Sequence, residues 1–460
     1  MSTNINIVWQ DREKIASQSP GRALISLAIP AILSVIFNFV FEIIDMFWIG
    51  KLGGVSAAAL GSASFFIWML RGLGLTVAAG TIALVSRRTG EKNEPGLVAA
   101  ISNAIGSSFL FSLLTIAVCL PIVLNIFHWL ALDPVVADFS LEYSLVFLSG
   151  LVFVYLMLTL EYIIRGIGDT RSPMIITGIS FLLNGVLDPV FIFTLGMGLK
   201  GAAYSTILAQ GVGTVLMAAV LLKKVPALNR NHSAAIPFSA AKCKDFFQQF
   251  LTIIKIGGPV GVSDAAFSFI YLLLTGIICI FGKEPLAAIA IAHRLEGFLF
   301  FICLGFSMAV APMVGQYLGA GNPEKAKKTV FLSLKITSVI LAIISVIYFL
   351  FAPGLLRVFI DDPVIIGYGV NYLRIIAFFE IFLAFEVVLG GAFSGAGDTR
   401  PLFWVIFPLT ALRIPLAYLF AVLFQLKVTA IWAVIAFTMV LKGALLLYIF
   451  NKGNWAKKKI

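Results

Sequence analysis

Charge is scarce in this sequence. Asp, Glu, Lys and Arg supply 12 % of the 460 residues, against roughly 25 % in an average soluble domain. Hydrophobic residues reach 60 % and mean hydropathy is +1.03. A soluble fold of this length needs more polar surface than that. Soluble enzymes, nucleic-acid-binding proteins and disordered tails are thereby excluded. Cysteine and histidine are also rare, with four of one and three of the other. Cys119, Cys243, Cys279 and Cys303 are far apart, as are His128, His232 and His293. Neither set has the spacing of a disulfide framework or a metal site, so no cofactor is expected. The N-terminus has no small-residue cleavage site behind a short apolar core, and no removable signal peptide is expected.

Long apolar blocks take the place of charge. Helices are expected at about 24–49, 56–86, 97–120, 141–164, 173–196, 201–222, 252–281, 286–316, 329–351, 366–392, 402–424 and 428–450, each near the ~20 residues that span a bilayer. A β-barrel would show short alternating segments instead. The expected fold is therefore an all-α polytopic membrane protein with twelve transmembrane helices.

The net charge of +11 sits in alternate loops. One set carries Arg12, Lys14 and Arg22, then Arg87, Arg88 and Lys92, then Arg171. It continues with Lys223, Lys224, Arg230, Lys242 and Lys244, then Lys325, Lys327 and Lys328, then Arg400, then Lys452 and Lys457 to Lys459. The intervening loops carry isolated bases such as Lys51, Lys200, Lys283, Arg357 and Lys427. This places both termini in the cytoplasm and the chain in the cell (inner or plasma) membrane as a multi-pass protein. The lipid bilayer is the expected partner, and no nucleic acid is needed to explain the charge.

The two halves repeat at an offset of 229 residues. Pro30 pairs with Pro259, Val85 with Val314, Gly90 with Gly319, Asn93 with Asn322 and Tyr143 with Tyr372. Asp133-Pro134 pairs with Asp362-Pro363. Gly166 and Gly168-Asp169-Thr170-Arg171 pair with Gly395 and Gly397-Asp398-Thr399-Arg400. Six helices per copy make the copies parallel, related by an axis along the membrane normal. The expected domains are residues 1–222 and 251–460, two pseudo-symmetric six-helix bundles, joined by a cytoplasmic linker at 223–250. One chain then supplies both walls of a cleft, so a monomer suffices. The Gly-Asp-Thr-Arg stretches read as helix-ending turns followed by a cap.

Acids inside apolar helices are costly and point to protein or water rather than lipid. The first half has Glu42, Asp45, Glu161 and Asp188, with Asn184 four residues before Asp188. Glu42 and Asp45 share a helix face, as do Asn184 and Asp188. Counted from the basic ends, both Asp45 and Asp188 fall in the outer half of the membrane. Such a cluster suits a proton, or a bare Na⁺ with Asp45, Asn184 and Asp188 as ligands. Asn184 and Thr206 also read as helix–helix glue. In the second copy Asp45 becomes Leu274, Glu161 becomes Gly390, Asn184 becomes Arg413 and Asp188 becomes Ala417. Packing alone gives no reason for carboxylates in one copy only. The second half has other charges: Lys255, Asp264, Arg294, Glu296, Lys335, Arg374, Glu380, Glu386 and Arg413. Of these, Arg294, Glu380, Glu386 and Arg413, with Glu42 and Arg71 of the first half, are candidates for a substrate cleft or charge network. Arg71 reads as a neutraliser of one of the acids. The 41 Phe residues suit flat apolar or amphipathic cargo in a cleft, including organic cations, or simply face lipid.

These motifs resemble those of multidrug and toxic compound extrusion (MATE) transporters, in particular the prokaryotic branch related to the DNA-damage-inducible efflux proteins. The resemblance covers about residues 20–450. It rests on Leu27-Ala28-Ile29-Pro30, on Asp45 followed by Ile49-Gly50-Lys51-Leu52-Gly53, and on Arg165-Gly166-Ile167-Gly168-Asp169. It also rests on Asn184 to Asp188-Pro189 and on Gly201-Ala202-Ala203-Tyr204-Ser205-Thr206. It implies an antiporter, not an enzyme, that exports organic small molecules as H⁺ or Na⁺ enters. It also implies that Asp45, Asn184, Asp188 and Thr206 form a cation or proton site. Glu161 stands where that site often has Asn, and is expected to add a carboxylate to it. The alternative function is a flippase for a lipid-linked precursor, which needs Arg294, Arg374 and Arg413 to converge on a phosphate.

Overall fold

The structure, a computed structural model, describes residues 18–129, 133–230, 240–458 and 460. Asp11 to Lys14, Arg12 among them, His232, Pro237 and Lys459 lie outside the described residues. The first half holds α1 (Pro20–Gly50), α2 (Gly54–Gly90), α3 (Glu94–Trp129), α4 (Pro134–Ser149), α5 (Leu151–Gly166), α6 (Arg171–Pro189) and α7 (Leu199–Lys224). The second holds α8 (Ala240–Cys279), α9 (Lys283–Gly319), α10 (Pro323–Arg357), α11 (Pro363–Ala377), α12 (Glu380–Ala396), α13 (Arg400–Ala411), α14 (Arg413–Ala417) and α15 (Thr429–Asn451). Among the described residues ten helices are long and apolar enough to cross a membrane, or up to 12 spans if each of two bent pairs is one. The chain is an all-α polytopic membrane protein. Large apolar side chains such as Val118, Leu182, Val186 and Trp404 are exposed, as lipid contact requires.

Two expected helices are broken. The run at 141–164 divides into α4 and α5, bent by 53°, and the run at 366–392 into α11 and α12, bent by 61°. No charge interrupts the run around Gly150, so hydropathy does not report the first break, whereas the second falls at Glu380, the first residue of α12. At the first break Gly150 lies so close to the Ile207 side chain that a Cβ would overlap it. The expected bridge at 223–250 is also partly helical, because α8 begins at Ala240. Its exposed polar residues Lys244, Asp245 and Gln248 carry the helix out of the apolar layer.

The repeat extends to backbone conformation. Asp133 caps α4 by accepting from the Val135 N–H at 3.0 Å, and Asp362 caps α11 through Val364 N–H at 2.8 Å. Each of the two halves has a π-helical turn, Val190–Thr194 and Tyr418–Leu423. Positive φ recurs at matched positions: Gly53 and Gly282, Lys92 and Gly321, Gly168 and Gly397, Gly196 and Gln425, Gly198 and Lys427. The second copy thus holds Gln425 at +54° and Lys427 at +61° where the first has glycine. A left-handed side-chain-bearing residue costs roughly 1–2 kcal/mol, part of which glycine returns through its looser unfolded chain. Lys427→Gly is therefore expected to stabilise by up to ~1 kcal/mol, seen as a raised melting temperature in detergent. A lowered one would show that the Lys427 side chain holds the turn.

At the end carrying the basic loops the halves are in direct backbone contact. α2 and α8 form the most extensive helix pair in the molecule. A Cβ on Gly80 would overlap the Ile253 carbonyl, one on Gly257 the Thr76 carbonyl, and one on Gly261 the Thr76 hydroxyl. Small residues four apart let two helices approach this closely. α2 and α9 meet in the same way: Gly90 abuts the Gln316 carbonyl and Gly319 the Arg87 carbonyl. Arg87 and Gln316 occupy matched positions in the repeat. Each reaches across to the turn of the other half: Arg87 Nη2 donates to Ala396 O at 3.4 Å and Gln316 Nε2 to Gly166 O at 3.0 Å. This end of the molecule is closed.

The turns behave as caps. Asp169 accepts from Arg171 N at 2.9 Å and Ser172 N at 3.0 Å, and pairs with Lys224 Nζ at 3.1 Å. Asp398 pairs with Lys458 at 3.4 Å. Burial acts to raise the Asp169 carboxyl, but the Ser172 hydrogen bonds and Lys224 outweigh it and hold the group below the usual carboxylate range. A depressed carboxyl contributes stability above its unfolded value and loses it as pH falls through the folded one. Asp169→Ala is expected to cost about 1 kcal/mol at neutral pH, and the melting-temperature gap to wild type should narrow below about pH 4. A gap independent of pH would exclude the ionised cap.

Candidate functional site

The α6 helix has two unlike faces. Leu182 and Val186 are 72 % and 66 % exposed, whereas Asn184 and Asp188 are 1 % and 0 % exposed. The polar pair therefore points into the first half. α1 packs on α6, with the Phe41 and Phe181 rings stacked at 4.8 Å. Asp45, one turn beyond Phe41, is 8 % exposed and lies against Asp188, near enough for a shared hydrogen bond. α7 closes the site. Ser205 Oγ donates to Asp188 Oδ1. Asn184 Nδ2 donates to Ser205 Oγ at 3.0 Å and to Asp188 Oδ1 at 3.2 Å. Tyr143 of α4 is buried beside the same carboxyls.

Three oxygens in this cluster have no hydrogen-bond partner: Asp45 Oδ1, Asp188 Oδ2 and Asn184 Oδ1. Two adjoining buried carboxylates repel each other, and a proton or one small cation between them relieves that. The three free oxygens are hard ligands of the kind that Na⁺ and similar ions take. Among the described residues no three of His, Cys, Asp and Glu gather as a metal-binding group.

Two expected members are elsewhere. Thr206 Oγ1 donates to Ala202 O of its own helix at 2.9 Å, and Ser205 occupies the place beside Asp188. Adjacent residues on a helix point ~100° apart, so only one of the two faces the acids. Glu161 pairs with Arg165 one turn along α5, at 2.5 Å. Arg165 also contacts Met308 of α9, so this pair faces the boundary between the halves. Glu42 is answered by Arg71 at 3.6 Å, which is the neutralising role expected of Arg71.

The chain as a whole matches a known family. The MatE family model matches residues 30–190 and again 259–419, two segments set 229 residues apart. The chain belongs to the MatE family. It is 27 % identical over 446 residues to the probable multidrug resistance protein NorM of Thermotoga maritima, covering 95 % of this chain and 94 % of that protein. Its fold is that of a MOP superfamily transporter from Pyrococcus furiosus, with a TM-score of 0.85 at 23 % identity over 100 % of both chains. The outward-facing structure of a multidrug resistance MATE family transporter matches equally well, with a TM-score of 0.85 at 23 % identity and 100 % of both chains covered.

Within the MatE repeat, the second half has filled the matching place with a fixed cation. Arg413 stands where the first half has Asn184 and is 3 % exposed. It donates to Thr438 Oγ1 at 2.7 Å and to Tyr271 OH at 2.7 Å. Tyr271 is the repeat partner of Glu42. Near it, Lys442 pairs with Glu386 at 2.7 Å, and Tyr372 OH donates to Glu296 at 2.6 Å. Glu380 is buried with both carboxyl oxygens unbonded. Arg374 lies over the Phe349 ring and donates to its carbonyl at 3.3 Å, and Arg294 is exposed on α9. Arg374 and Arg413 are thus engaged separately, by Phe349 and by Thr438 and Tyr271.

Proposed function

We propose that this protein is an ion-coupled antiporter that exports organic compounds across the cell membrane by alternating access, with H⁺ or Na⁺ entering as cargo leaves. The reading takes both bent pairs as single spans, which gives twelve, with both termini and the basic loops in the cytoplasm. It takes residues 1–222 and 251–460 as the moving bundles. The observation that carries it is the pair Asp45 and Asp188, two neighbouring buried carboxyls from different helices of one bundle, each with an oxygen left unbonded. A group that exchanges charge with one side of the membrane, in a bundle that moves against its partner, couples an ion gradient to cargo. On this orientation the closed end is cytoplasmic, so the conformation faces outward. Family membership and the multidrug resistance relative support the cargo class.

The test is efflux of a fluorescent organic cation from proteoliposomes under separately imposed pH and Na⁺ gradients. One of the two gradients is expected to drive efflux. No response to either would remove the reading.

A further inference from the structure

The chain leaves α15 at the closed end and folds back at once. Gly453, at a φ of +76°, makes the turn, and a single 3-10 turn follows at Asn454–Lys457. Trp455 is 2 % exposed. It stacks on Phe450 of α15 at 4.6 Å and donates its indole N–H to Phe450 O at 2.9 Å. Lys458 Nζ adds the pair with Asp398, at 3.4 Å, in the turn between α12 and α13. The segment is thus anchored on the second half.

Past that anchor it crosses to the first half. Arg87 of α2 donates through Nη2 to Lys458 O at 3.1 Å, as well as to Ala396 O at 3.4 Å. Ile460 packs against a buried cluster made, Ile253 apart, of first-half residues, Val85, Ile164 and Ile167 among them. It also covers the Gly397 turn, where a Cβ would come 2.8 Å from Ile460 Cγ2 and 3.6 Å from Ala83 Cβ of α2. Ile460 therefore lies where a turn of one half meets a helix of the other. The repeat shows that this crossing is an addition. The chain after α7 also folds back in one turn, Ala227–Arg230, but there Val225 and Leu228 pack into the core of their own half.

We infer that the segment carrying Lys458 and Ile460 is a latch that holds the basic end closed and releases before that end opens. This rests on the alternating-access reading and adds to it a part of the closed end that lies outside every membrane-spanning helix. Arg87 moves with α2, whereas Trp455 and Asp398 move with the second half. A motion that parts Gly80 from Ile253 therefore pulls Lys458 O from Arg87 or strips Ile460 from the first-half core. The charged hydrogen bond and the apolar contact both favour the closed conformation. Contacts made in one conformation only shift the equilibrium toward it.

The test is the distance between spin labels at Lys223 of α7 and Lys328 of α10, both exposed at the basic ends of the two halves, in the full-length protein in nanodiscs. Wild type is expected to show mostly the short distance with a minor longer one. Removal of residues 457–460, which keeps Trp455, should raise the ratio of long to short about tenfold. Ile460→Ser should raise it less. Lys458→Ala should raise it least, because the carbonyl that Arg87 holds stays in the backbone. If the shortened chain does not fold, Ile460→Ser carries the test alone. An unchanged ratio in the folded variants, with wild type sampling both distances, would overturn the latch and leave gradient-driven export standing. The expected shift in a protein that exports under no gradient would overturn the export reading and leave the latch standing.

Discussion

Asp188→Asn brings gradient-driven efflux down to the level of protein-free vesicles while the protein folds and inserts normally. The amide keeps an oxygen to accept from Ser205 and Asn184, which now bond to Asp188 Oδ1, so the packing of α6 on α7 survives. The amide does not keep the charge. With one carboxyl left, the site no longer exchanges a proton or cation against Asp45, and the ion gradient has no hold on the first bundle. Ser205→Ala removes one hydrogen bond and leaves both charges, so its effect is smaller. It should still exceed that of Thr206→Ala, whose hydroxyl bonds within its own helix. Efflux measured for the three variants at equal protein density orders them as Asp188→Asn, Ser205→Ala and Thr206→Ala. Thr206→Ala as the more damaging of the two hydroxyl variants would mean that another conformation turns Thr206 to the acids.

Gly257→Ala opens the closed end. Its methyl would overlap the Thr76 carbonyl and crowd the Gly80 N–H at 2.8 Å, and both are backbone atoms that cannot turn aside. Relief requires α2 and α8 to separate. Overpacking of this kind costs about 1–3 kcal/mol, which moves a two-state equilibrium roughly 5- to 150-fold. The population shifts away from the conformation described above, and efflux falls because one half of the cycle is lost. Spin labels at Lys223 and Lys452, at the basic ends of the two halves, report the change as a longer mean distance. An unchanged distance distribution with full efflux would show that the seam is not part of the cycle. Gly276→Ala, which meets nothing within 4 Å, is the matched control.

Much of this architecture was readable before any coordinates. Apolar blocks separated by charge located the spans, and matched residues such as Gly168 and Gly397 located the repeat. Asp45 and the Asn184–Asp188 pair were legible because a carboxylate in an apolar helix demands a reason. The misses have physical causes. Hydropathy does not change where a helix bends inside lipid, so the break at Gly150 was silent. Ser205 and Thr206 are chemically alike and adjacent, and only the rotation of α7 decides between them. Glu161 carried two messages, a place in a motif and a partner one turn away, and the nearer charge won. The seam left a trace in Gly72, Thr76 and Gly80, and in Gly257 and Gly261, small residues four apart. That trace gains meaning only once α2 and α8 are known to touch.

Ion entry and cargo efflux recorded together in the same vesicles, for wild type and for the double variant Asp45→Asn with Asp188→Asn, address the central claim most directly. The account predicts that wild type takes up H⁺ or Na⁺ in step with efflux and that both fluxes vanish together in the double variant. Undiminished gradient-driven efflux from the double variant would contradict it.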